Sequence, residues 1–380
     1  LVALDNARVN KLDPAAVPDG AEALAGPSTR VNGALIESFD GIVCDLDGVV
    51  YRGHEAVPHA VESLLSAVSS GVGVVFATNN ASRTPAEVAA HLAALGLPGP
   101  ASRVVTSAQA GALLIARHCP PGSLVLAVGG PGVRLALKEA GMSPVSVGTS
   151  PPVRRVAAVL QGYGAGVAWA DLAEVAYAVQ AGALWVATNV DSTLPTERGM
   201  APGNGALVGA VRAAVDVDPL VVGKPYAPLY ELSAHALGTS LDRTLAIGDR
   251  LDTDILGAAT AGMASLFVFG GVHGWVDVAG ADPAQRPRYV ATDLRSLHTA
   301  YAEPVLDTKD LGGWSCGDAH ASVSAHGDLT VSQAGALNDR TRAALCALWH
   351  ARDGGVPVDP RSGDGAALSD ELDAVMEHRP

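Results

Sequence analysis

The sequence is short of several things at once. Aromatic residues make up 4% of the 380 positions, against 48% hydrophobic overall. The core must therefore be built from small aliphatic side chains, above all Ala and Val, which suits α/β layers with helices packed closely on a sheet. No apolar run approaches a membrane span, and the N-terminus has no basic-then-apolar signal pattern, so no membrane contact and a cytoplasmic location are expected. The four cysteines, Cys44, Cys119, Cys316 and Cys346, are scattered without metal-like spacing, which fits reduced and mostly buried thiols. Lysine is scarce too, present only as Lys11, Lys138, Lys224 and Lys309. The formal net charge of −14 argues against nucleic acid as a partner. It also means that an anionic substrate needs local positive charge wherever it binds.

What is present is organised around Gly41-Ile42-Val43-Cys44-Asp45-Leu46-Asp47-Gly48. An apolar run of the kind found in buried parallel strands ends in two aspartates one residue apart, and a glycine follows. Ligand sites of open α/β sheets lie just beyond the carboxyl ends of such strands. Two carboxylates forced together there require a cation or a shared proton. An Asp-rich turn after a buried strand is the bland alternative, and the partners further along the chain weigh against it.

The length predicts two or three domains. Residues 1–35 mix charge with Pro, Gly and Asn and read as a mobile extension. Residues 36–115 and 216–300 read as one discontinuous α/β core with a mostly parallel sheet. Its strands end in Asp45, in Thr78-Asn79-Asn80, and in Gly248-Asp249, and it is expected to resume at Pro219–Val222. Residues 116–215 read as an inserted α/β unit, a cap, with strands at 124–128, 156–160 and 184–187. Within it Gly129-Gly130-Pro131-Gly132 reads as a plain βα turn. Residues 301–380 change character, with three short strands and one helix at 339–351, and read as a small α+β module with a structural or oligomerising role.

Asp45 and Asp47, Thr78, Lys224, Asp249 and Asp254 thus fall in order at the carboxyl edge of one predicted sheet: a carboxylate pair, a hydroxyl, a lysine and an acidic pair. In this order they resemble the four signature motifs of the haloacid dehalogenase-like hydrolases. Asp45-Leu46-Asp47-Gly48-Val49-Val50 matches the first motif, Thr78 the second, Lys224 the third and Gly248-Asp249 with Asp254 the fourth. The match spans residues from about 40 to 300. Thr78-Asn79-Asn80-Ala81-Ser82-Arg83-Thr84-Pro85, Val222-Gly223-Lys224-Pro225 and Thr188-Asn189-Val190-Asp191 with Pro202-Gly203-Asn204-Gly205 are similar to one branch in particular. That branch holds nitrophenylphosphatases, phosphoglycolate phosphatases and glycerol-phosphate phosphatases, and carries its large cap between motifs two and three.

The resemblance implies a Rossmann-like core and a phosphatase that forms an aspartyl-phosphate on Asp45, with Asp47 as general acid and base. It implies Mg²⁺ on the Asp45 carboxylate, the Asp47 carbonyl and Asp249, with Asp254 behind them. Lys224 and Thr78 would hold the phosphoryl group, with Gly48, Asn79 and Asn80 beside it. Asn189, Asp191 and Asn204 could hydrogen-bond a hydroxylated leaving group, or could only stabilise the cap turn. A small phosphomonoester is therefore the expected partner, glycerol 3-phosphate first, with phosphoglycolate, pyridoxal phosphate and nucleotides as alternatives. A homodimer through the cap is a family-based expectation. A phosphomutase and a non-catalytic regulatory protein are the rival classes. His54, His273, His320 and His326 lie on separate segments without ligand spacing and read as loop histidines.

Overall fold

The computed structural model describes residues 33–148, 156–196, 198–307 and 312–377. The extension expected at 1–35 falls, but for its last three residues, outside the described residues. The chain divides into two compact units: a continuous one over 75–238, and a split one whose described residues are 33–74 and 239–377.

In the split unit the strands Gly41–Cys44, Thr244–Gly248, Ala264–Val268 and Tyr289–Ala291 pair in parallel, with Cys44 opposite Ile247, Gly248 opposite Phe267, and Leu266 opposite Tyr289. All are buried on both faces, which is why each reads as an apolar run without alternation. The strand Gly73–Thr78 begins in this unit and carries the chain into the other.

The module after residue 300 is an antiparallel sheet of Val305–Leu306, Trp314–Cys316, Ala319–Val323 and Leu329–Val331, with helices Leu337–Asp353 and Gly365–Glu377. The first helix is buried all round from Thr341 to Trp349, as a helix enclosed between layers must be. Its buried Arg342 donates Nε–H to the Val290 carbonyl at 2.9 Å, pairs with Asp339 at 3.2 Å, and lies 3.8 Å over the Tyr301 ring. The module does not stand apart. Leu251, Ile255, Phe267, Phe269, Trp275 and Val278 form one continuous core with Leu329, Leu345, Leu348, Trp349, Leu368 and Leu372. Two indole N–H groups tie the seam, Trp275 to the Pro360 carbonyl at 2.8 Å and Trp349 to the Val278 carbonyl at 3.0 Å.

The continuous unit holds a parallel five-stranded sheet in the order Leu220–Val221, Leu184–Ala187, Ala158–Gln161, Leu124–Val128, Ser143–Val145. The stretch at 219–222, expected to resume the main sheet, pairs here instead, Leu220 with Val186 and Val221 with Ala187. The reason is packing: the Val221 side chain belongs to this unit's core with Trp185, Val208 and Val211. Two helices start just after strand ends and are capped alike. Thr84 and Glu87 bond reciprocally at the start of Pro85–Ala94, and Thr106 and Gln109 do so at the start of Ser107–His118. Gly130 precedes the helix Pro131–Glu139 and makes the βα turn expected there. Among the described residues no helix is long and apolar enough to cross a membrane.

Candidate active site

The parallel register of the split unit sets the acidic centre. With Cys44 opposite Ile247, Asp45 and Asp249 both leave the same edge of the sheet, and the Asp45 N–H still donates to the Ile247 carbonyl at 2.9 Å. After Asp249 the chain makes one turn of π-helix, Leu251–Ile255, a local widening often found at functional sites, and this turn carries Asp254. Carboxylate oxygens of Asp45, Asp249 and Asp254 all lie within 4.8 Å of one another. Asp249 is 0% exposed and Asp254 3%, while Asp45 is half-buried. Two unit charges at such a separation repel by roughly 3.5 kcal/mol even at an effective dielectric of 20. Three pairs of that kind call for a cation. The donors are all oxygen, which fits a hard divalent ion such as Mg²⁺. The sequence assigned Asp254 a place behind the ligands; the structure brings its carboxylate into the same group. The Asp47 side chain stands outside that group and is exposed, and its backbone bridges to Tyr51.

Two glycines make room for Asp249. Gly48 has φ +87°, and a Cβ there would stand 2.7 Å from Asp249 Oδ2, so both its conformation and its surroundings demand glycine. A Cβ on Gly271 would collide with the same oxygen. The Val272 N–H donates to Asp249 Oδ2 at 2.6 Å, and the Arg250 N–H to Asp254 Oδ2 at 3.2 Å. Arg250 also forks onto Asp252 at 3.0 and 2.7 Å. Burial pushes the Asp252 carboxyl up, but the Arg250 hydrogen bonds and charge outweigh it and hold the group below the usual carboxylate range. The Gly270–His273 segment was not among the expected site residues. Its available signal was a glycine pair directly after an apolar strand, at the same sheet edge as the aspartates.

Thr78 and Lys224 belong to the continuous unit. Thr78 is buried, and its Oγ1 accepts from the Asn80 N–H at 3.0 Å. Lys224 is buried as well and donates Nζ–H to the Ala77 carbonyl at 3.3 Å. Asn79 locks the Lys224 backbone from both sides: Oδ1 accepts its N–H at 2.7 Å, and Nδ2 donates to its carbonyl at 3.0 Å. The same Nδ2 reaches Asp191 Oδ2 at 3.2 Å. Asn189 donates to the Asn79 carbonyl at 2.8 Å and accepts the Asp191 N–H at 3.2 Å, while Asn204 donates to the Asn189 carbonyl at 2.7 Å. Asn80 Oδ1 accepts from both the N–H and the hydroxyl of Ser82. Asn79, Asn189 and Asn204 thus place amide groups around the Lys224 backbone and the turn at 188–191, which for Asn189 and Asn204 is the turn-stabilising role named above. Asn189 and Asn204 are buried, and a buried amide takes the nearest backbone partners.

The comparisons with known proteins agree with this geometry. Residues 42–143 match the family model of haloacid dehalogenase-like hydrolases, and residues 221–297 match a second, HAD-hydrolase-like model. The chain is 43% identical over 324 residues to the D-glycerol 3-phosphate phosphatase of Mycobacterium tuberculosis, covering 84% of this chain and 88% of that protein. The chain belongs to the haloacid dehalogenase-like hydrolases. The crystal structure of the M. tuberculosis glycerol phosphate phosphatase, in complex with magnesium, superposes with a TM-score of 0.74 at 39% identity, covering 90% of this chain and 99% of that one. A thermostable nitrophenylphosphatase of Geobacillus stearothermophilus gives a TM-score of 0.61 at 32% identity, covering 68% of this chain and 97% of its own. As a haloacid dehalogenase-like hydrolase with its α/β core and antiparallel module, the chain is matched more fully by the first of these structures. Coverage of 90% leaves about 38 of 380 residues unmatched, too few to contain the whole module after residue 300.

Proposed function

We propose that this haloacid dehalogenase-type phosphatase hydrolyses small phosphomonoesters, glycerol 3-phosphate foremost, through an aspartyl-phosphate on Asp45. The single observation that carries the proposal is the convergence of Asp45, Asp249 and Asp254, two of them buried, at the tip of a parallel sheet. Asp45, the Asp47 backbone carbonyl and Asp249 would hold Mg²⁺, with Asp254 behind or beside them. Bound there, the ion supplies positive charge against the carboxylates and the incoming phosphoryl oxygens.

Asp45 Oδ attacks phosphorus as the ester P–O bond breaks, and Asp47 passes its proton to the departing alkoxide. Asp47 then takes a proton from the water that attacks the phosphorus, and cleavage of the P–O bond to Asp45 restores the carboxylate. An exposed Asp47 suits a group that must meet both an alcohol and water. Lys224 supplies the protein's own positive charge to the phosphoryl group, and Thr78 a hydroxyl; the Asn79 scaffold keeps the lysine backbone fixed.

The substrate preference rests on the D-glycerol 3-phosphate phosphatase named above and on the hydroxyl-rich character of such a leaving group. We assign residues 116–215, joined by the strand Leu220–Val221, as the cap, with self-association through it, and 36–115 with the rest of 216–300 as the core. All four cysteines are buried and outside any disulfide, which fits a reducing, cytoplasmic setting.

The test is phosphate release from a panel of phosphomonoesters, with Mg²⁺ and with chelator. Glycerol 3-phosphate should lead nitrophenyl phosphate, pyridoxal phosphate and nucleotides, and chelator should abolish turnover. Asp45→Asn should lose at least about a thousandfold in kcat, the scale of removing a nucleophile from a covalent mechanism. Full turnover by Asp45→Asn, or turnover indifferent to chelator, would refute the mechanism.

A further inference from the structure

The geometry points to His273 as a positioning residue that latches the acid-bearing loop, with the C-terminal module as its anchor. The inference rests on the Mg²⁺-phosphatase proposal above and asks what holds the loop that would carry the ion.

The loop from Gly248 to Ile255 holds both buried aspartates. Its helical turn begins at Leu251, whose N–H, like the first amides of any helix, has no partner within the turn. That amide donates to His273 Nδ1 at 2.9 Å. The partner lies 22 residues away, on the segment between the strand Ala264–Val268 and the helix Trp275–Ala279. The same segment grips Asp249 twice more: Val272 N–H reaches Oδ2 at 2.6 Å, and His273 N–H reaches the backbone carbonyl at 3.4 Å. One short strap therefore holds the side chain and the backbone of Asp249 together with the start of the turn that carries Asp254. On the strap's side only the imidazole is a side chain; the other two contacts are made by backbone N–H groups.

The strap is fixed downstream by the module. Trp275 is fully buried and donates to the Pro360 carbonyl, and the Val278 carbonyl receives the Trp349 indole N–H. From the other side, Leu251 and Ile255 of the acid-bearing turn enter the same core as Leu345, Leu348 and Trp349. Both ends of the latch are thus seated on residues after 300. The module acquires a function it lacks if regarded as an appendage: it keeps the strap and the acid loop in register. His273 acts through Leu251 and touches neither substrate nor reacting atoms, so its loss should alter ion affinity more than chemistry.

The experiment compares parent, His273→Ala and His273→Asn by three readouts. In hydrogen exchange, the peptide spanning 248–255 should exchange at least about tenfold faster in His273→Ala, with or without ion. The Mg²⁺ concentration giving the half-maximal rise in melting temperature should increase about tenfold, the lower end of what losing a partner of the metal-binding groups costs. At saturating Mg²⁺, KM for glycerol 3-phosphate should stay within about threefold. Asparagine offers Oδ1 near the position of Nδ1, and His273→Asn should recover most of the exchange protection and Mg²⁺ response. If His273→Ala does not fold, parent against His273→Asn and His273→Gln carries the comparison, and Gln, with its acceptor one methylene further out, should be the weaker rescue. Unchanged exchange and an unchanged Mg²⁺ titration in His273→Ala would overturn the inference. So would an equal loss in His273→Asn, which would make ring packing the cause and not the acceptor. A parent whose melting temperature ignores Mg²⁺ would fail the metal-dependent function itself, and is told apart because exchange at 248–255 is read without ion.

Discussion

Replacing Trp349 by Ala probes whether the last 80 residues are part of the fold of the split unit. Trp349 is 3% exposed in the middle of the helix Leu337–Asp353. Truncating a buried tryptophan costs about 3–5 kcal/mol in lost transfer energy and residual cavity. Removing its N–H leaves the Val278 carbonyl, bonded at 3.0 Å in a buried setting, without that donor, for about 1 kcal/mol more. The Arg286 guanidinium, 5.5 Å from the ring centroid, loses a cation–π contact worth about 0.5 kcal/mol. The terms overlap, and about 4–6 kcal/mol in all is expected, against a typical domain stability of about 5–15 kcal/mol. For a unit of about 150–250 residues that is on the order of 10–20 °C in Tm. Differential scanning calorimetry, supported by far-UV circular dichroism, would read the shift. Trp349→Phe drops the donor and part of the ring, so it should cost less than Trp349→Ala, about 2–3 kcal/mol. A Trp349→Ala protein melting within about 3 °C of the parent would refute a shared core.

Further predictions follow from the same contacts. A chain ending at residue 300 should aggregate or fail to fold, because 13 of the 22 buried residues in the shared core lie between Cys316 and Leu372; a soluble, monodisperse 1–300 protein would disprove it. Gly271→Ala should displace the buried Asp249 carboxylate, lower the metal-free melting temperature, and raise the half-saturating Mg²⁺ by more than about tenfold, measured by Mg²⁺-dependent melting; an unchanged Mg²⁺ titration would contradict it. Burial pushes the Cys346 and Cys316 thiols up to about 12, so native protein at pH 8 should resist alkylation at both, and rapid labelling detected by mass spectrometry would contradict this. The sign in stability follows. Above the ordinary thiol pKa of about 8.5 the unfolded chain releases protons that the folded one keeps, so stability should fall as pH rises from about 8.5 towards 12, less steeply in a Cys346→Ala variant.

Much of the fold was readable because its signals are local. Parallel strands buried on both faces read as apolar runs, and 124–128, 184–187, 104–106 and 289–291 lie where those runs lie. Polar residues at the ends of such runs stand out for the same reason, which is how Asp45 and Asp249, whose carboxylates meet, were singled out. The hairpin of Thr193–Thr196 and Gly199–Pro202 was missed because Pro195 and Pro202 argue against strands, and a two-stranded ribbon at a sheet-free edge tolerates them. The helix Gly365–Glu377 was hidden behind the glycine-rich stretch that precedes it, although Leu368 and Leu372, four apart, form its buried stripe.

What remained illegible is the direction of polar side chains, and that is a non-local quantity. Asn189 could face a substrate hydroxyl or a carbonyl, and nothing near it in sequence decides; the Asn79 carbonyl that takes its N–H is 110 residues away. His273 presents the same problem in reverse. In sequence it is one of four loop histidines without ligand spacing, and nothing near it in the chain names its partner. Its partner becomes identifiable only once Thr244–Gly248 and Ala264–Val268 are known to be parallel neighbours, because that pairing alone sets the segment after one strand beside the turn after the other. The acidic centre is therefore announced by residues that stand at strand tips, and held by residues whose purpose the strand order assigns.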